Sequence, residues 1–435
     1  MANEVKKFLI KKIQEREAVI GVVGLGYVGL PLATAFAGSG FTVIGFDVDQ
    51  SKVDSINSCK SYISHFPATC FSSFVLQNKF TATTDKTEFK NCDAIILCVP
   101  TPINKSREPD TKFIEKAAKN VANYLRKGTL VSLESTTYPG TTEELLCPIL
   151  ETSGMRAGED FFITFSPERE DPGNETWNIY TIPKVIGGYN KDSLDVGVAL
   201  YSSVINTIVP VSSARTAEMV KILENTYRCI NIALVNELKM VCTRLGIDIW
   251  EAIKAASTKP FGFKAFYPGP GVGGHCIGPD PMYLSWKSKQ VDINTRFIDL
   301  ASEVNTNMPY YVFNRVSYAL NTKKKSVNGA KVLLVGVAYK ENIDDIRESP
   351  ALPLIDLLLD AGASVEYTDK FIPEIKQTHA KKVNLTSNDN YLEDDFDCVI
   401  ITTAHKYIDY EKITNKYDLI VDTRNVVFGD NVVKA

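Results

Sequence analysis

The run Gly271-Val272-Gly273-Gly274-His275-Cys276-Ile277-Gly278-Pro279-Asp280-Pro281 sets a cysteine among glycines, where covalent chemistry becomes feasible. Glycine lets backbone approach a ligand closely, and Asp280, four residues beyond the sulfur, is near enough to orient a water or a hydroxyl. A thiol in such a loop either packs as a small hydrophobe in a tight turn or acts as a nucleophile. A second run bears on the choice. Gly24-Leu25-Gly26-Tyr27-Val28-Gly29 directly follows the apolar stretch Ala18–Val23 and leads into helix-compatible residues from Leu30 to Ala37. Asp47 closes the next apolar stretch, Thr42–Phe46, 18 residues after Gly29. Strand, glycine loop, helix, strand and acid in that order make a dinucleotide fingerprint, with the phosphates on the helix N-terminus. A carboxylate at Asp47 would take the adenosine ribose hydroxyls and repel a 2′-phosphate, which favours NAD over NADP. A reactive thiol in the same chain as a hydride acceptor predicts covalent oxidation.

Other groups stand where parallel strands end, which is where open α/β sheets bind ligands. Val99-Pro100-Thr101-Pro102 and Ser135-Thr136-Thr137-Tyr138-Pro139-Gly140 are either loops facing the nicotinamide half of a cofactor or ordinary Pro-bearing turns. Ser166-Pro167-Glu168-Arg169-Glu170-Asp171-Pro172-Gly173-Asn174 concentrates carboxylates after the stretch Phe161–Phe165. Lys221 and Asn225 lie four apart, so on a helix they project from one face. Lys340, Arg347 and Arg424 follow later strand-like runs, and cationic donors at strand ends suit a diphosphate.

The elements that must position these groups follow from periodicity. Apolar runs at Ala18–Val23, Thr42–Phe46, Asp93–Val99, Thr129–Leu133, Phe161–Phe165 and Lys184–Ile186 alternate with helix-length segments, which predicts βαβ units and a parallel sheet covered on both faces. From Thr216 to Leu245, Val220, Leu223, Tyr227, Ile230, Leu234, Leu238, Val241 and Leu245 recur every three or four residues without Pro or Gly, which predicts one long helix. Alternation resumes at Lys331–Val337, Ser364–Thr368, Asp397–Thr402 and Asp418–Asp422, a second, smaller α/β domain beyond the polar connector from Asn321 to Asn328. The expected fold is two Rossmann-like doubly wound α/β domains joined by a long central helix, divided at 1–212, 213–322 and 323–435.

Composition narrows the function further. Lys and Arg number 48 against 52 Asp and Glu, a net charge of −4 with no basic domain to follow a nucleic acid. Nine Cys without a Cys-x-x-Cys pair, and four scattered His, speak against a disulfide framework and a structural metal. A reducing cytoplasm fits that cysteine usage. No apolar run approaches the roughly 20 residues that span a bilayer, and the charged stretch from Met1 to Glu17 is no secretory signal.

Five separated motifs together carry a resemblance. They are Ser135-Thr136, Ser166-Pro167-Glu168-Arg169, Lys221-Ile222-Leu223-Glu224-Asn225, Gly273-Gly274-His275-Cys276, and Gly336-Val337-Ala338-Tyr339-Lys340 with Asp345-Ile346-Arg347-Glu348-Ser349-Pro350, all downstream of the fingerprint. With them the chain resembles the UDP-glucose/GDP-mannose dehydrogenase family over nearly its whole length. The resemblance implies oxidation of a nucleotide-sugar C6 alcohol to a carboxylate, consuming two NAD and one water. In that reading Cys276 forms a thiohemiacetal and then a thioester, and Glu168 positions or activates the hydrolytic water. Lys221, Asn225 and Asp280 hold the alcohol oxygen and its developing charge, while Thr136 orders water beside the nicotinamide.

Cofactor contacts are implied at Gly24, Gly26, Tyr27, Val28, Gly29, Asp47, Thr101, Thr136 and Arg347. Substrate contacts are implied at Glu168, Arg169, Lys221, Asn225, Phe266, Tyr267, Gly273, Lys340 and Arg424. The chain departs from the glucose branch at Pro172, where a second acid is usual, and at Pro279, where Lys is common. Lys259-Pro260-Phe261-Gly262-Phe263 and Tyr267-Pro268-Gly269-Pro270-Gly271 resemble the N-acetylhexosamine branch instead. The implied substrate is therefore a UDP-N-acetylhexosamine, with UDP-N-acetylglucosamine foremost, and the implied assembly is a homodimer or higher homo-oligomer paired through the central segment.

Overall fold

The computed structural model describes residues 2–63, 66–104, 106–170, 176–274 and 276–435; His275 and the sequence Asp171-Pro172-Gly173-Asn174 lie outside the described residues. The chain divides into two compact units, Met1–Glu224 with Met282–Ile293, and Asn225–Pro281 with Asn294–Ala435.

The first unit is built on eight strands: β1 Val19–Val23, β2 Thr42–Phe46, β3 Phe80–Thr83, β4 Ala94–Leu97, β5 Leu130–Leu133, β6 Phe162–Phe165, β7 Lys184–Gly188 and β8 Ile208–Val211. They lie in the order β3-β2-β1-β4-β5-β6-β7-β8. The reversal of direction from β1 creates the switch point at which the first glycine loop leaves the sheet. Strands β4, β5 and β6 are buried at every residue, as expected of near-continuous Val, Ile, Leu and Phe runs covered by helices on both faces. Separate apolar clusters on the two faces complete the core: one around Ile20, Phe36 and Leu200, the other around Ile95, Val131 and Ile163. One feature departs from the expected parallel pairing. Strand β7 runs antiparallel to β6, through Thr164 opposite Gly188 and Phe165 opposite Gly187, before β8 restores parallel pairing with β7.

The second unit has the smaller sheet. Strands β9 Lys331–Val335, β10 Ser364–Thr368, β13 Cys398–Ile401, β14 Ile420–Asp422 and β15 Val432–Lys434 pair in the order β10-β9-β13-β14-β15, all parallel. A hairpin of β11 Glu374–Gln377 and β12 Lys382–Thr386 stands apart from that sheet. The fold is thus two Rossmann-like α/β sheets in one chain, with the long helix Ala214–Leu245 running between their sequences. A further helix, Arg296–Thr322, not expected from the sequence, continues through Pro309 in its interior.

The long helix is fastened in the first unit by a buried carboxylate. Glu218, fully buried, accepts hydrogen bonds from the Gly140 N–H at 2.5 Å, the Thr142 N–H at 2.8 Å and the Thr142 hydroxyl at 2.6 Å. These donors open the short helical segment that begins at Thr142. Burial pushes the Glu218 carboxyl up to about 7, against the pull of its hydrogen bonds. A Glu218→Ala variant leaves two buried N–H groups without an acceptor, and we expect a loss of about 2–4 kcal/mol of unfolding free energy in denaturant titrations. Because the folded-state carboxyl titrates above its ordinary 4.5, the native protein holds the extra proton in between. The wild-type advantage over Glu218→Ala should therefore be largest at pH 4.5 and narrow as pH rises toward 7.

Candidate functional site

The cofactor end is shaped by the loop between β1 and the helix Gly29–Gly38. Gly24 adopts φ +90°, and a Cβ there would come 2.5 Å from the Cys98 carbonyl oxygen, so no other residue fits the turn. A Cβ on Gly26 would meet nothing within 4 Å, which leaves open space over the loop where a pyrophosphate can approach the backbone. Asp47 stands at the end of β2 with its side chain only 7% exposed, accepting the Leu25 N–H at 2.9 Å and the Asp49 N–H at 3.0 Å. Ser135 donates to the Val99 carbonyl at 2.8 Å, tying together two loops that leave adjacent strands β4 and β5. Thr101 belongs to the first of these, and its carbonyl accepts a hydrogen bond from Tyr283. A glycine cradle, a helix N-terminus and an acid in this order fit NAD.

Lys221 and Glu168 meet directly. The Lys221 ammonium donates to the Glu168 carbonyl at 2.5 Å and lies 3.2 Å from a carboxylate oxygen, both side chains being at least 85% buried. The other carboxylate oxygen accepts the Glu170 N–H. Arg169 faces elsewhere: its guanidinium pairs with Glu224 and donates to the Pro183 carbonyl at 2.7 Å. Below these groups runs a chain of buried polar contacts. Lys184 on β7 donates to Glu134 at 2.9 Å, Tyr201 donates to the same carboxylate at 2.7 Å, and Ser132 meets Tyr201 at 2.8 Å. Val28, Leu32, Glu134, Glu168, Glu170 and Lys184 line one pocket. Glu134 and Lys184 were not legible as site residues in the sequence, because their meeting depends on which strands pair, and Glu170 stood out only as one acid of its carboxylate-rich run.

In the second unit, Asn225 donates to Asp280 at 2.5 Å, and both are buried. Cys276 sits one turn ahead of Asp280, its carbonyl accepting the Asp280 N–H at 3.2 Å, so it enters the helix Pro279–Lys289 at its N-terminal end. The partial positive charge of a helix N-terminus favours a thiolate. Cys276 is partly exposed, whereas Cys92, Cys147, Cys229 and Cys398 are buried. The glycines before it have steric reasons. A Cβ on Gly273 would meet the Glu348 carbonyl at 2.9 Å, and one on Gly274, at φ +81°, would press on the Tyr339 ring at 2.9 Å.

The remaining sequence-predicted residues of this unit occupy distinct settings. Gly269 abuts the Arg424 guanidinium, 2.7 Å from where a Cβ would stand, and donates its N–H on to Asn236 no further than 3.0 Å away. Burial pushes Arg424 down to about 10, and its Nε donates to the Thr402 carbonyl at 2.7 Å. Phe266 meets Tyr227 edge-on at 5.7 Å, and Tyr267 stacks on Trp250 at 5.4 Å. Arg347 is held by Asp345 in a two-pronged pair, with N–O distances from 2.6 to 3.0 Å, and its carbonyl accepts the Gly274 N–H. Lys340 lies half-buried beyond β9.

The second sheet repeats the strand-loop-acid order, with the acid paired to a histidine. Asp369, after β10, accepts the N–H groups of Val337 and Ala338 at 2.8 and 3.0 Å and pairs with His405 Nε2 at 3.0 Å, with both side chains fully buried. His405 Nδ1 accepts the Asn342 N–H, so Nε2 carries the ring hydrogen. Among the described residues no cluster of three or more His, Cys, Asp or Glu is placed to hold a metal, and no helix is long and apolar enough to cross a membrane.

Comparison with known proteins agrees with this geometry. Residues 18–205 match the NAD binding domain of the UDP-glucose/GDP-mannose dehydrogenase family, 215–307 its central domain and 333–429 its UDP binding domain. The chain is 36% identical to protein CapL of Staphylococcus aureus, across 95% of this chain and 97% of that one. It is 35% identical to the UDP-N-acetyl-D-glucosamine 6-dehydrogenase of Pseudomonas aeruginosa, across 90% and 91%. Among solved structures, the UDP-D-ManNAc dehydrogenase of Pyrococcus horikoshii superposes with a TM-score of 0.87 at 32% identity, covering 94% of this chain and 96% of that one. Fold, glycine cradle, paired Lys221 and Glu168, and three matching domains in sequence lead to one assignment: the chain belongs to the UDP-glucose/GDP-mannose dehydrogenase family and is an NAD-dependent UDP-sugar dehydrogenase.

Proposed function

We propose that this enzyme oxidises C6 of UDP-N-acetylglucosamine to the uronic acid through a covalent intermediate on Cys276, supplying a sugar for surface polysaccharide. The observation that carries the reading is the pair of contacts on one turn of the long helix: Lys221 to Glu168, and Asn225 to Asp280. Bound NAD supplies hydride acceptance, first from the alcohol and then from the thiohemiacetal. Lys221, Asn225 and Asp280 hold the alcohol oxygen and stabilise the charge that develops there, typically a few kcal/mol for each preorganised donor. Cys276 holds the aldehyde so that a reactive intermediate is not lost, and its thioester is open to water directed by Glu168. Thr136 orders water at the nicotinamide end. Lys340 and Arg424 take the UDP end, with Phe266, Tyr267 and Gly273 around the sugar, and Arg347 serves the cofactor cleft.

We divide the work among residues 1–212 for NAD, 213–322 for the Cys loop and subunit pairing, and 323–435 for the UDP-sugar. A second reading keeps the chemistry and changes the sugar at C2, since relatives of similar identity are named as UDP-N-acetyl-D-mannosamine dehydrogenases.

The covalent step is tested by counting NADH per active site and weighing the intact protein after mixing with UDP-N-acetylglucosamine and NAD. Cys276→Ser should acylate and then hydrolyse slowly, so that an ester accumulates, whereas Cys276→Ala should bind both ligands yet form almost no acid. Wild-type-like production of two NADH per sugar by Cys276→Ala contradicts the covalent mechanism.

Asp47 generates a cofactor prediction. We expect kcat/KM with NAD to exceed that with NADP by at least about tenfold, corresponding to roughly 1–2 kcal/mol of charge repulsion, and Asp47→Ser to shrink the ratio. Equal values for the wild-type enzyme remove that role.

The long helix generates a third. Leu223, Tyr227, Leu234 and Leu238 are 40–58% exposed within one chain, and Ile230 continues their row. We read this row as the seam of a homodimer, so light scattering at micromolar concentration should give twice the chain mass, and Leu234→Glu should shift it toward the monomer. A wild-type monomer under those conditions contradicts the seam.

A further inference from the structure

The pocket beside Glu168 holds more carboxylates than cations. Glu134, Glu168 and Glu170 line it, and each ammonium within reach is already matched. Lys184 is bonded to Glu134 at 2.9 Å and lies over the Tyr201 ring at 5.1 Å, while Lys221 is bonded to Glu168. Arg169, which also lines the pocket, is committed to Glu224. Glu170 is the surplus group. Among the described residues nothing hydrogen-bonds its carboxyl, although its own N–H is given to the Glu168 carboxylate. The groups that act on it are Glu168 from the same loop, Lys184 from β7 and Glu134 from the end of β5, with Cys98 and Tyr201 beyond Glu134.

We propose that Glu170 is the proton-relay residue behind Glu168, acting through it during release of the acid product. This rests on the covalent reading above. As water attacks the thioester, its oxygen bonds to the acyl carbon and the C–S bond breaks, with sulfur leaving as thiolate. One water proton passes to Glu168 and on to ionised Glu170, which exchanges it with solvent. The other departs when the product carboxylic acid ionises. No oxidant or reductant takes part in this half of the reaction, which needs only a proton acceptor that resets near neutral pH.

Burial and the neighbouring Glu168 charge push the Glu170 carboxyl up to about 8, so it resets in that range. Glu170 thus stands beside Glu168 as a carboxyl that can take up and release a proton near neutral pH, while Glu168 keeps its ammonium partner Lys221.

Two measurements test the relay. The first is the decay of the acyl-enzyme, quenched and weighed intact between pH 6 and 9. Decay in the wild type should accelerate through about pH 8, while Glu170→Gln should be flat across that range and at least about tenfold slower at its upper end. Substrate KM should be unchanged. A Glu170→Gln profile that parallels the wild type overturns the relay. The second is thermal stability without any ligand. A carboxyl raised from 4.5 to about 8 makes the native state lose stability as pH rises through that window, so wild type should fall relative to Glu170→Gln. Absence of that gap overturns the part given to Glu170 alone. If the gap is present but no acyl-enzyme forms with any UDP-sugar, the covalent reading fails and the relay fails with it.

Discussion

Lys221 and Asn225 are four residues apart on an uninterrupted helix, and the chemistry proposed for this chain depends on that spacing. One helical turn puts both on one face, so the ammonium that fixes Glu168 and the amide that fixes Asp280 cannot be moved separately. Glu218, three residues before Lys221, fastens the same helix to the Gly140–Thr142 turn, next to the loop that carries Ser135 and Thr136. A change in helix register would displace all of these at once. The absence of Pro and Gly between Thr216 and Leu245 therefore serves the proposed chemistry as well as helix propensity.

Charge matching is the second constraint. Lys184 with Glu134, Lys221 with Glu168 and Arg169 with Glu224 pair off three cations and three carboxylates at the ends of β5 to β7 and the long helix. Breaking the Lys184–Glu134 or Lys221–Glu168 pair would strand a charge in a poorly hydrated place, which costs several times what an exposed pair contributes. Such pairing leaves Glu170 as the carboxylate of the pocket without a cation bonded to it among the described residues. The second unit matches its buried charge differently: the Asp369 carboxylate accepts two loop amides and pairs with His405.

Most of the fold was legible because burial on both faces writes itself into sequence as apolar runs, as in β2 and β10, whose bounds match the expected stretches residue for residue. The glycine loop with Asp47 and the paired spacing of Lys221 and Asn225 were legible for the same local reason. What escaped depends on contacts between distant segments. The antiparallel turn of β7 leaves no periodic trace, because an antiparallel central strand is as apolar as a parallel one. Pro309 masked a long helix. Glu170 drew attention only as one of several acids, since its singular state follows from Lys184 being consumed by a residue 50 positions earlier. The Asp369–His405 pair was hidden likewise, being brought together by strand order.

The central claim is that one chain carries a UDP-sugar alcohol to an acid and holds the aldehyde throughout. The most direct measurement is the mass of the sugar product after wild-type enzyme, excess NAD and each of UDP-N-acetylglucosamine, UDP-N-acetylmannosamine, UDP-N-acetylgalactosamine and UDP-glucose are incubated separately. The account predicts the uronic acid from UDP-N-acetylglucosamine, formed faster than from the others and with no free aldehyde detected by a carbonyl-trapping hydrazine. Release of the trapped aldehyde as the main product, or no acid from any of the four sugars, would contradict it.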